Sequence, residues 1–269
     1  MARILGPPPP AAVGLGGARW YRGGGIAGGS GLEEQPFLSV LVPAYNEART
    51  LHDVVSAVRK VPEDLEIVLV DDGSEDGTWP IMESLDDGAR VRAFRHEVNK
   101  GKGAAIRTGL AQARGELVLI QDADLEYSPD DYGTLLEPIR AGRATVVYGS
   151  RTFSSHAAYS FWYVMGNRVV TLTTNVLFNC YLSDMETGYK VMPLAVARAL
   201  GIRANGFDLE PEITAKLLRM GHKIYEVPVS YAARSRAEGK KLTAADGLKA
   251  IGTLARYRFW RPPATGGGA

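Results

Sequence analysis

The chain has 269 residues, 45% apolar and 23% charged, enough for one large domain or two small ones with a sizeable core, and this excludes wholesale disorder. Lys and Arg number 31 against 30 Asp and Glu, and a net charge of +1 argues against a general nucleic-acid binder, which carries a basic excess. A single cysteine, Cys180, excludes an internal disulfide framework and fits a reducing compartment, and the scattered His52, His96, His156 and His222 show no zinc-ligand spacing.

Met1–Gln35 holds ten Gly and four Pro, a composition that buries no core and lacks the apolar stretch of a secretory signal. Residues 1–36 are therefore expected to be a flexible tail. Alternating elements follow. Phe37–Val42 reads as a strand, Leu51–Val61 as a helix with Leu51, Val54, Val55 and Val58 at helical spacing, and Leu65–Val70 as a second strand. Trp79–Leu85 is a helix, Val91–Arg95 a third strand, Lys102–Ala113 a helix, Leu117–Ile120 a fourth strand, Tyr132–Arg140 a helix and Thr145–Tyr148 a fifth strand. Phe161–Leu182 is the most apolar long stretch, but Asn167, Arg168, Asn175 and Asn179 interrupt it. A central Arg alone costs roughly 2.5–3.5 kcal/mol in a membrane span, so this is a buried or interfacial helix. The segment from Ala233 onward carries eight basic and two acidic residues, which suggests a local anionic partner. The expected division is a catalytic domain over 37–232, a basic amphipathic segment over 233–262 and a loose end over 263–269.

Continuously apolar strands alternating with helices predict an α/β fold, a mostly parallel sheet covered by helices on both faces. Ligands of such sheets sit beyond the carboxyl ends of the strands, so the residues just after each strand are the candidates. They are Pro43-Ala44-Tyr45-Asn46-Glu47, Asp71-Asp72-Gly73-Ser74, Asn99-Lys100-Gly101-Lys102-Gly103, Asp122-Ala123-Asp124-Leu125-Glu126 and Gly149-Ser150-Arg151. Asp122 and Asp124 are two apart, and on an extended segment they point the same way. Two carboxylates on one side suit a hard divalent cation that also holds substrate phosphates. Helix capping is the weaker reading, because Ser128-Pro129-Asp130-Asp131 already supplies an N-cap, a Pro and first-turn acids. Glu126 is either a further metal ligand or an exposed acid. Asp71-Asp72-Gly73-Ser74 is either a turn or the place where one carboxylate meets the base or ribose of a nucleotide. Tyr45 either stacks on that base or packs, and Glu47 has a first-turn helix acid as its plainer role. Asn99–Gly103 is able to cradle phosphate at a helix start, but it fails the dinucleotide fingerprint, and no P-loop occurs.

Taken together, Val40-Leu41-Val42-Pro43-Ala44-Tyr45-Asn46-Glu47, Val70-Asp71-Asp72-Gly73-Ser74-Glu75-Asp76-Gly77-Thr78, Asn99–Gly103 and Asp122-Ala123-Asp124 resemble the family-2 glycosyltransferases, over about Phe37 to Phe259. Asp184-Met185-Glu186-Thr187-Gly188-Tyr189-Lys190, Phe207-Asp208-Leu209-Glu210 and Glu238-Gly239-Lys240-Lys241 look like the branch of dolichyl- and polyprenyl-phosphate mannose and glucose synthases. The resemblance implies a GT-A fold, Rossmann-like, and inverting transfer of a hexose from a GDP- or UDP-linked sugar with Mg2+ or Mn2+. It also implies that Pro43, Tyr45, Glu47, Asp71 or Asp72, and Lys102 hold the nucleoside. Asp122 and Asp124, with Ala123 between them, would bind metal and diphosphate, and Glu126 stands where many relatives have Gln.

Candidate cations for the departing diphosphate are Arg234, Lys240 and Lys241. Ser150 and Arg151 are candidates for an acceptor phosphate, Arg being suited to bidentate contact. Arg168 is a second candidate, since a charge in an apolar helix needs a partner. A hydroxyl acceptor needs a general base, for which Asp184 and Glu210 are available, whereas a monophosphate, with a second pKa of about 6, is already ionised. Asp208 reads as a cap before Pro211. In Thr243–Trp260, Leu248, Ile251 and Leu254 share a face beside Lys249, Arg256 and Arg258, and Tyr257, Phe259 and Trp260 close the stretch. This suits the surface of an anionic membrane, or a helix packed on the domain. The expected setting is cytoplasmic, peripheral on the inner membrane face, with no nucleic-acid partner. The rivals are a soluble acceptor and a non-catalytic nucleotide-binding module, the latter disfavoured by the intact Asp122 and Asp124.

Overall fold

The computed structural model describes residues 35–152, 161–232 and 244–262. The expected tails, but for Gln35 and Pro36, lie outside the described residues, as do Arg234, Glu238, Lys240 and Lys241.

In chain order the elements are β1 (Leu38–Ala44), α1 (Leu51–Arg59), β2 (Leu65–Asp71), α2 (Thr78–Leu85), β3 (Val91–Arg95), α3 (Lys102–Gln112), β4 (Leu117–Ile120), α4 (Tyr132–Arg140), β5 (Val146–Ser150), α5 (Phe161–Phe178), β6 (Lys190–Pro193), α6 (Leu194–Ala199), α7 (Leu209–Arg219), β7 (Ile224–Pro228) and α8 (Ala244–Arg258). The five strands read from the sequence are all present, and β6 and β7 join them. The sheet runs β3-β2-β1-β4-β6-β5-β7. Every pairing is parallel except those of β6, which is antiparallel to both β4 and β5. The α/β expectation therefore holds, with one reversed strand that the alternation does not announce.

The period-2 alternation of the strands sorts their side chains onto two faces. Leu38, Val40 and Val42 of β1 pack with Leu51, Val54, Val55 and Val58 of α1 and with Leu135 and Leu136 of α4. Leu41, Val68 and Val70 face the other way, onto Ile106 and Leu110 of α3 and Ile213 and Leu217 of α7. Each fully buried aliphatic side chain contributes about 1.5–3 kcal/mol, so the four from α1 alone fix that helix on the sheet. Ser128 caps the turn before α4 as its sequence predicts, accepting from Asp130 N at 3.3 Å with Pro129 following.

A third cluster joins Val170 of α5, Ala215 of α7 and Ala250, Leu254 and Tyr257 of α8. Thus α8 packs on the domain through Ala250, Leu254 and Tyr257, and of the expected face Leu254 is buried while Leu248 is exposed, as is Phe259. Arg168 is also exposed, so it is not the buried charge of an apolar helix. Among the described residues, no helix is long and apolar enough to cross a membrane.

Candidate active site

The carboxyl ends of β1, β2 and β3 frame a cleft of about 540 Å³ lined by Tyr45, Ser74, Trp79, Arg95, Glu97 and Asn99 among others, a size that suits a nucleoside. Its walls are stitched by side chains to backbone. Asn46, at φ 57°, accepts from Glu75 N at 2.9 Å, and its own N–H donates to Ser74 Oγ at 2.9 Å. Glu47 N donates to Thr78 Oγ1 at 2.9 Å and Ala48 N to Asp76 Oδ2 at 3.2 Å. Burial opposes the charge of Asp76, but hydrogen bonds from the Thr78 hydroxyl, Thr78 N and Ala48 N outweigh it and hold the carboxyl below its ordinary value. Pro43 closes the strand half-buried, and Tyr45 is exposed on the rim. Glu47 bonds to the Thr50 hydroxyl, whose shortest contact, 2.6 Å, reaches Ala123 O in the neighbouring loop.

The two aspartates at the end of β2 differ. Asp72 is spent inside the protein, taking His96 Nδ1 at 2.7 Å, Lys100 N at 3.0 Å and Gly101 N at 2.7 Å. Asp71 accepts from Ser74 N through Oδ1, and its buried Oδ2 faces Arg95 Nε at 3.2 Å without an aligned hydrogen bond. Both carboxylates are buried, and the cleft is lined by Gly73 and Ser74 that follow them. The Asn99–Gly103 loop is not a phosphate cradle of the expected kind. Lys100 and Gly101 give their N–H groups to Asp72, and Gly103 N donates to Asn205 O at 3.1 Å.

Beyond β4 the chain forms a turn, with Leu125 at φ 61°, in place of the extended segment expected for Asp122-Ala123-Asp124. Gln121 anchors it. Its Oε1 accepts from Tyr132 Oη at 2.9 Å and Tyr189 Oη at 2.7 Å, and its Nε2 donates to Asp122 O at 2.9 Å. Asp122 Oδ1 pairs with Lys102 Nζ at 2.7 Å, and the same ammonium lies 3.3 Å from Glu210 Oε1. Burial works against the charge of Lys102, but Asp122 and Glu210 reverse this and raise its pKa above the usual lysine value. Gly188 makes room for Asp122, since a Cβ there would lie 2.6 Å from Oδ2. Asp124 Oδ1 accepts from Glu126 N at 3.1 Å, and Glu126 Oε2 accepts from Tyr231 Oη at 2.7 Å.

These are hard oxygen donors, the set that Mg2+ and Mn2+ prefer. Among the described residues no three acidic, His or Cys side chains converge into a ready cage. The residues thus fit an ion held by one or two carboxylates that takes its remaining ligands from a substrate's phosphates.

Past β5, Ser150 bonds Ser183 through its hydroxyl at 2.7 Å. Arg151 grips Asp184 with Nε and Nη2, each at 2.7 Å, and with its backbone N at 3.1 Å, and Asn167 adds a fourth donor at 3.2 Å. Burial alone would raise the Asp184 pKa, yet Arg151 dominates and lowers it, so this carboxylate anchors an arginine and is a poor proton acceptor. Glu226 of β7 fixes the Ser183 and Asp184 backbone, with Ser183 N at 2.8 Å and Asp184 N at 3.1 Å. Because β6 runs backwards, it begins at this edge and delivers Glu186, Gly188 and Lys190. Burial and the Glu210 charge raise the Glu186 carboxyl pKa, and its Oε1 is buried without a hydrogen bond. Burial lowers the Lys190 pKa, and its ammonium donates to Thr187 O and lies 4.7 Å from the Tyr148 ring centre. Ala232 N donates to Glu126 O at 2.8 Å. Asp208 makes no side-chain cap for α7 and takes Lys249 at 2.9 Å. Arg168 stands exposed on α5.

Sequence reasoning missed Gln121, Asn167, Glu226 and Tyr231. Gln121, a polar residue between an apolar strand and an acidic pair, carried a local signal. The others act across more than fifteen residues of chain and carried none.

The Glycosyl transferase family 2 model matches residues 39–202, more than half of the chain, and the chain belongs to that family. A dolichol-phosphate mannosyltransferase of Pyrococcus furiosus is 27% identical over 76% of this chain, which spans only 58% of that relative's length. A UDP-N-acetylglucosamine–dolichyl-phosphate N-acetylglucosaminyltransferase of Methanococcus voltae is 30% identical over 74% of this chain and 88% of its own. Glucosyl-3-phosphoglycerate synthase from Mycobacterium tuberculosis, solved with phosphoglyceric acid, superposes with a TM-score of 0.64 at 20% identity, covering 85% of this chain and 82% of that one. The protein is a glycosyltransferase of GT-A fold, similar to the polyprenyl-phosphate branch.

Proposed function

We propose that this family-2 glycosyltransferase moves a hexose, with inversion, from a GDP- or UDP-sugar to the phosphate of a polyprenyl or dolichyl lipid, with Mg2+ or Mn2+ as cofactor. The carrying observation is the order of groups along one sheet edge. A nucleoside-sized cleft lies over β3, β2 and β1, the Asp122–Glu126 turn follows β4, and the Arg151–Asp184 pair follows β5. That order is the order of a donor's parts followed by an anionic acceptor.

In this reading Tyr45 stacks on the base, and Asp71 accepts a hydrogen bond from the nucleoside. Asp122 and Asp124 hold the divalent ion, with Glu126 beside them. When bound, such an ion acts as a Lewis acid that stabilises charge on a leaving diphosphate. Arg151, locked by Asp184 through Nε and Nη2, turns the opposite edge of its guanidinium to the acceptor phosphate, with Ser150 supporting that loop. The acceptor's ionised oxygen attacks the anomeric carbon while the sugar–phosphate bond breaks, and the electron pair leaves with the nucleoside diphosphate. No general base is required, because a monophosphate is already largely ionised at pH 7, its second pKa being about 6. Arg234, Lys240 and Lys241 follow Ala232 and are assigned to the diphosphate. Exposed Leu248 and Phe259, with Arg256 and Arg261, suit a peripheral contact with an anionic membrane on its cytoplasmic side.

A soluble phosphate is the second reading, favoured by the phosphoglyceric acid in the Mycobacterium tuberculosis neighbour. A thermal-shift panel of UDP- and GDP-sugars with and without Mn2+ identifies the donor. Labelled donor is then offered polyprenyl phosphate or phosphoglycerate. Labelled lipid supports the first reading, and product with the soluble acceptor alone rejects it.

A further inference from the structure

The backbone that carries Lys102 is fixed. Gly101 sits at φ 93°, and Cβ atoms on Gly101 and Gly103 would come within 2.1 Å of Asn205 O and 2.0 Å of Ala204 O. The start of α3 therefore lies pressed against the 204–205 loop and cannot shift without unpacking it. The Lys102 side chain remains one-third exposed, and its ammonium has two stations, Asp122 Oδ1 at 2.7 Å and Glu210 Oε1 at 3.3 Å. Asp122 is also the carboxylate assigned to the metal. An ammonium and a divalent cation repel each other, so an ion binding a carboxylate that already holds an ammonium works against that charge and favours its displacement.

We infer that Lys102 is a displaceable counter-cation for Asp122, holding that carboxylate until a divalent ion arrives and then passing to Glu210 and the donor's diphosphate. This rests on the metal reading of Asp122 proposed above. Two consequences follow from the charges. The ion alone binds weakly, because it must evict an ammonium from a partly buried partner. A nucleoside diphosphate brings negative charge that receives both the ion and the evicted ammonium, so ion and diphosphate strengthen each other's binding by the same factor. Lys102 is here a positioning residue whose signature is metal affinity.

The test is titration of the full chain with Mn2+, following the signal of the free ion by electron paramagnetic resonance, alone and with UDP or GDP. Lys102→Met keeps the alkyl stem and removes the charge. It is expected to tighten binding of Mn2+ alone about tenfold and to shrink the enhancement given by the diphosphate. Glu210→Gln removes the second station and leaves the ammonium clamped on Asp122, so Mn2+ alone should bind several-fold more weakly. Affinity in Lys102→Met equal to or below wild type, in a variant that melts normally, overturns the inference. Should Lys102→Met fail to fold, Glu210→Gln decides, and unchanged or tighter Mn2+ binding there overturns it. Asp122→Asn separates the two ideas. If it binds Mn2+ with diphosphate as wild type does, the metal assignment itself has failed and the exchange falls with it.

Discussion

The two halves of the active-site edge are built by different means. On the β1–β3 side, short polar side chains bond backbone N–H groups a few residues away or in the adjacent loop, as Asn46, Ser74, Asp76 and Thr78 do. On the β4–β7 side, charged side chains meet across long sequence separations and under burial, as in Lys102 with Glu210, Arg151 with Asp184, and Glu226 with the Ser183–Asp184 backbone. The first half resembles a rigid socket and the second an electrostatic network. Substitutions should therefore act locally in the first and spread in the second.

The largest expected effect is on the network side. Asp124→Ala should lower turnover by about 10³-fold, in the range seen when a group that stabilises developing charge is removed. Its melting temperature should stay near wild type, because this rim carboxylate adds little to the core. Undiminished turnover would remove Asp124 from the chemistry. Next, Asp184→Ala leaves the mostly buried Arg151 without its counter-charge and should destabilise the fold by about 3–5 kcal/mol in urea denaturation. The Asp184 pKa is depressed in the folded state, so the stability it contributes is present above the ordinary carboxylate range and lost as pH falls through the depressed value. The variant should accordingly show a flatter acid limb than wild type.

Gly188→Ala would bring a methyl group 2.6 Å from Asp122 Oδ2. A displacement of that carboxylate by about 1 Å should reduce kcat/KM on the order of 10²-fold, measured with saturating Mn2+. On the socket side the paired aspartates give a contrast. Asp71→Asn should weaken nucleotide affinity about tenfold by calorimetry, as expected for one lost hydrogen bond to a charged group, with a smaller fall in melting temperature than Asp72→Asn. Asp72→Asn should instead loosen the Asn99–Gly103 loop and lower thermal stability. Equal behaviour of the two would erase the distinction drawn between them. The smallest effect belongs to Glu186→Gln. The Glu186 pKa is raised in the folded protein, so its protonated form contributes stability below the ordinary carboxylate value, and that contribution declines as pH rises toward the raised one. The variant should match wild type near pH 4 and exceed it in melting temperature near pH 8.

These contrasts also explain what the sequence revealed. The five strands and the helices between them were legible because each is a short apolar run or a helical stripe bounded by turn residues. β6 was not, being four residues long, beginning with a buried Lys190 and ending in Pro193. β7 is an edge strand whose exposure does not alternate cleanly. The socket residues fall in contiguous motifs and were named. Asp122 and Asp124 were named from their spacing, but their turn was read as extended, because the positive φ of Leu125 has no sequence signature in a non-glycine residue. The role of Lys102 as partner to Glu210 was invisible, since 108 residues separate them. Arg168 was named because a charge in an apolar helix needs a partner, and it stands on the open outer face of α5 beside exposed Val169 and Leu172.

The reversal of β6 has a practical outcome for protein engineering. Everything from α5 to the end of β6 enters and leaves the sheet as a cassette flanked by β5 and α6, touching β4 through three residue pairs. Chimeras that graft this cassette together with Ser150 and Arg151 from another family member should therefore exchange acceptor preference while inheriting the donor preference of the host.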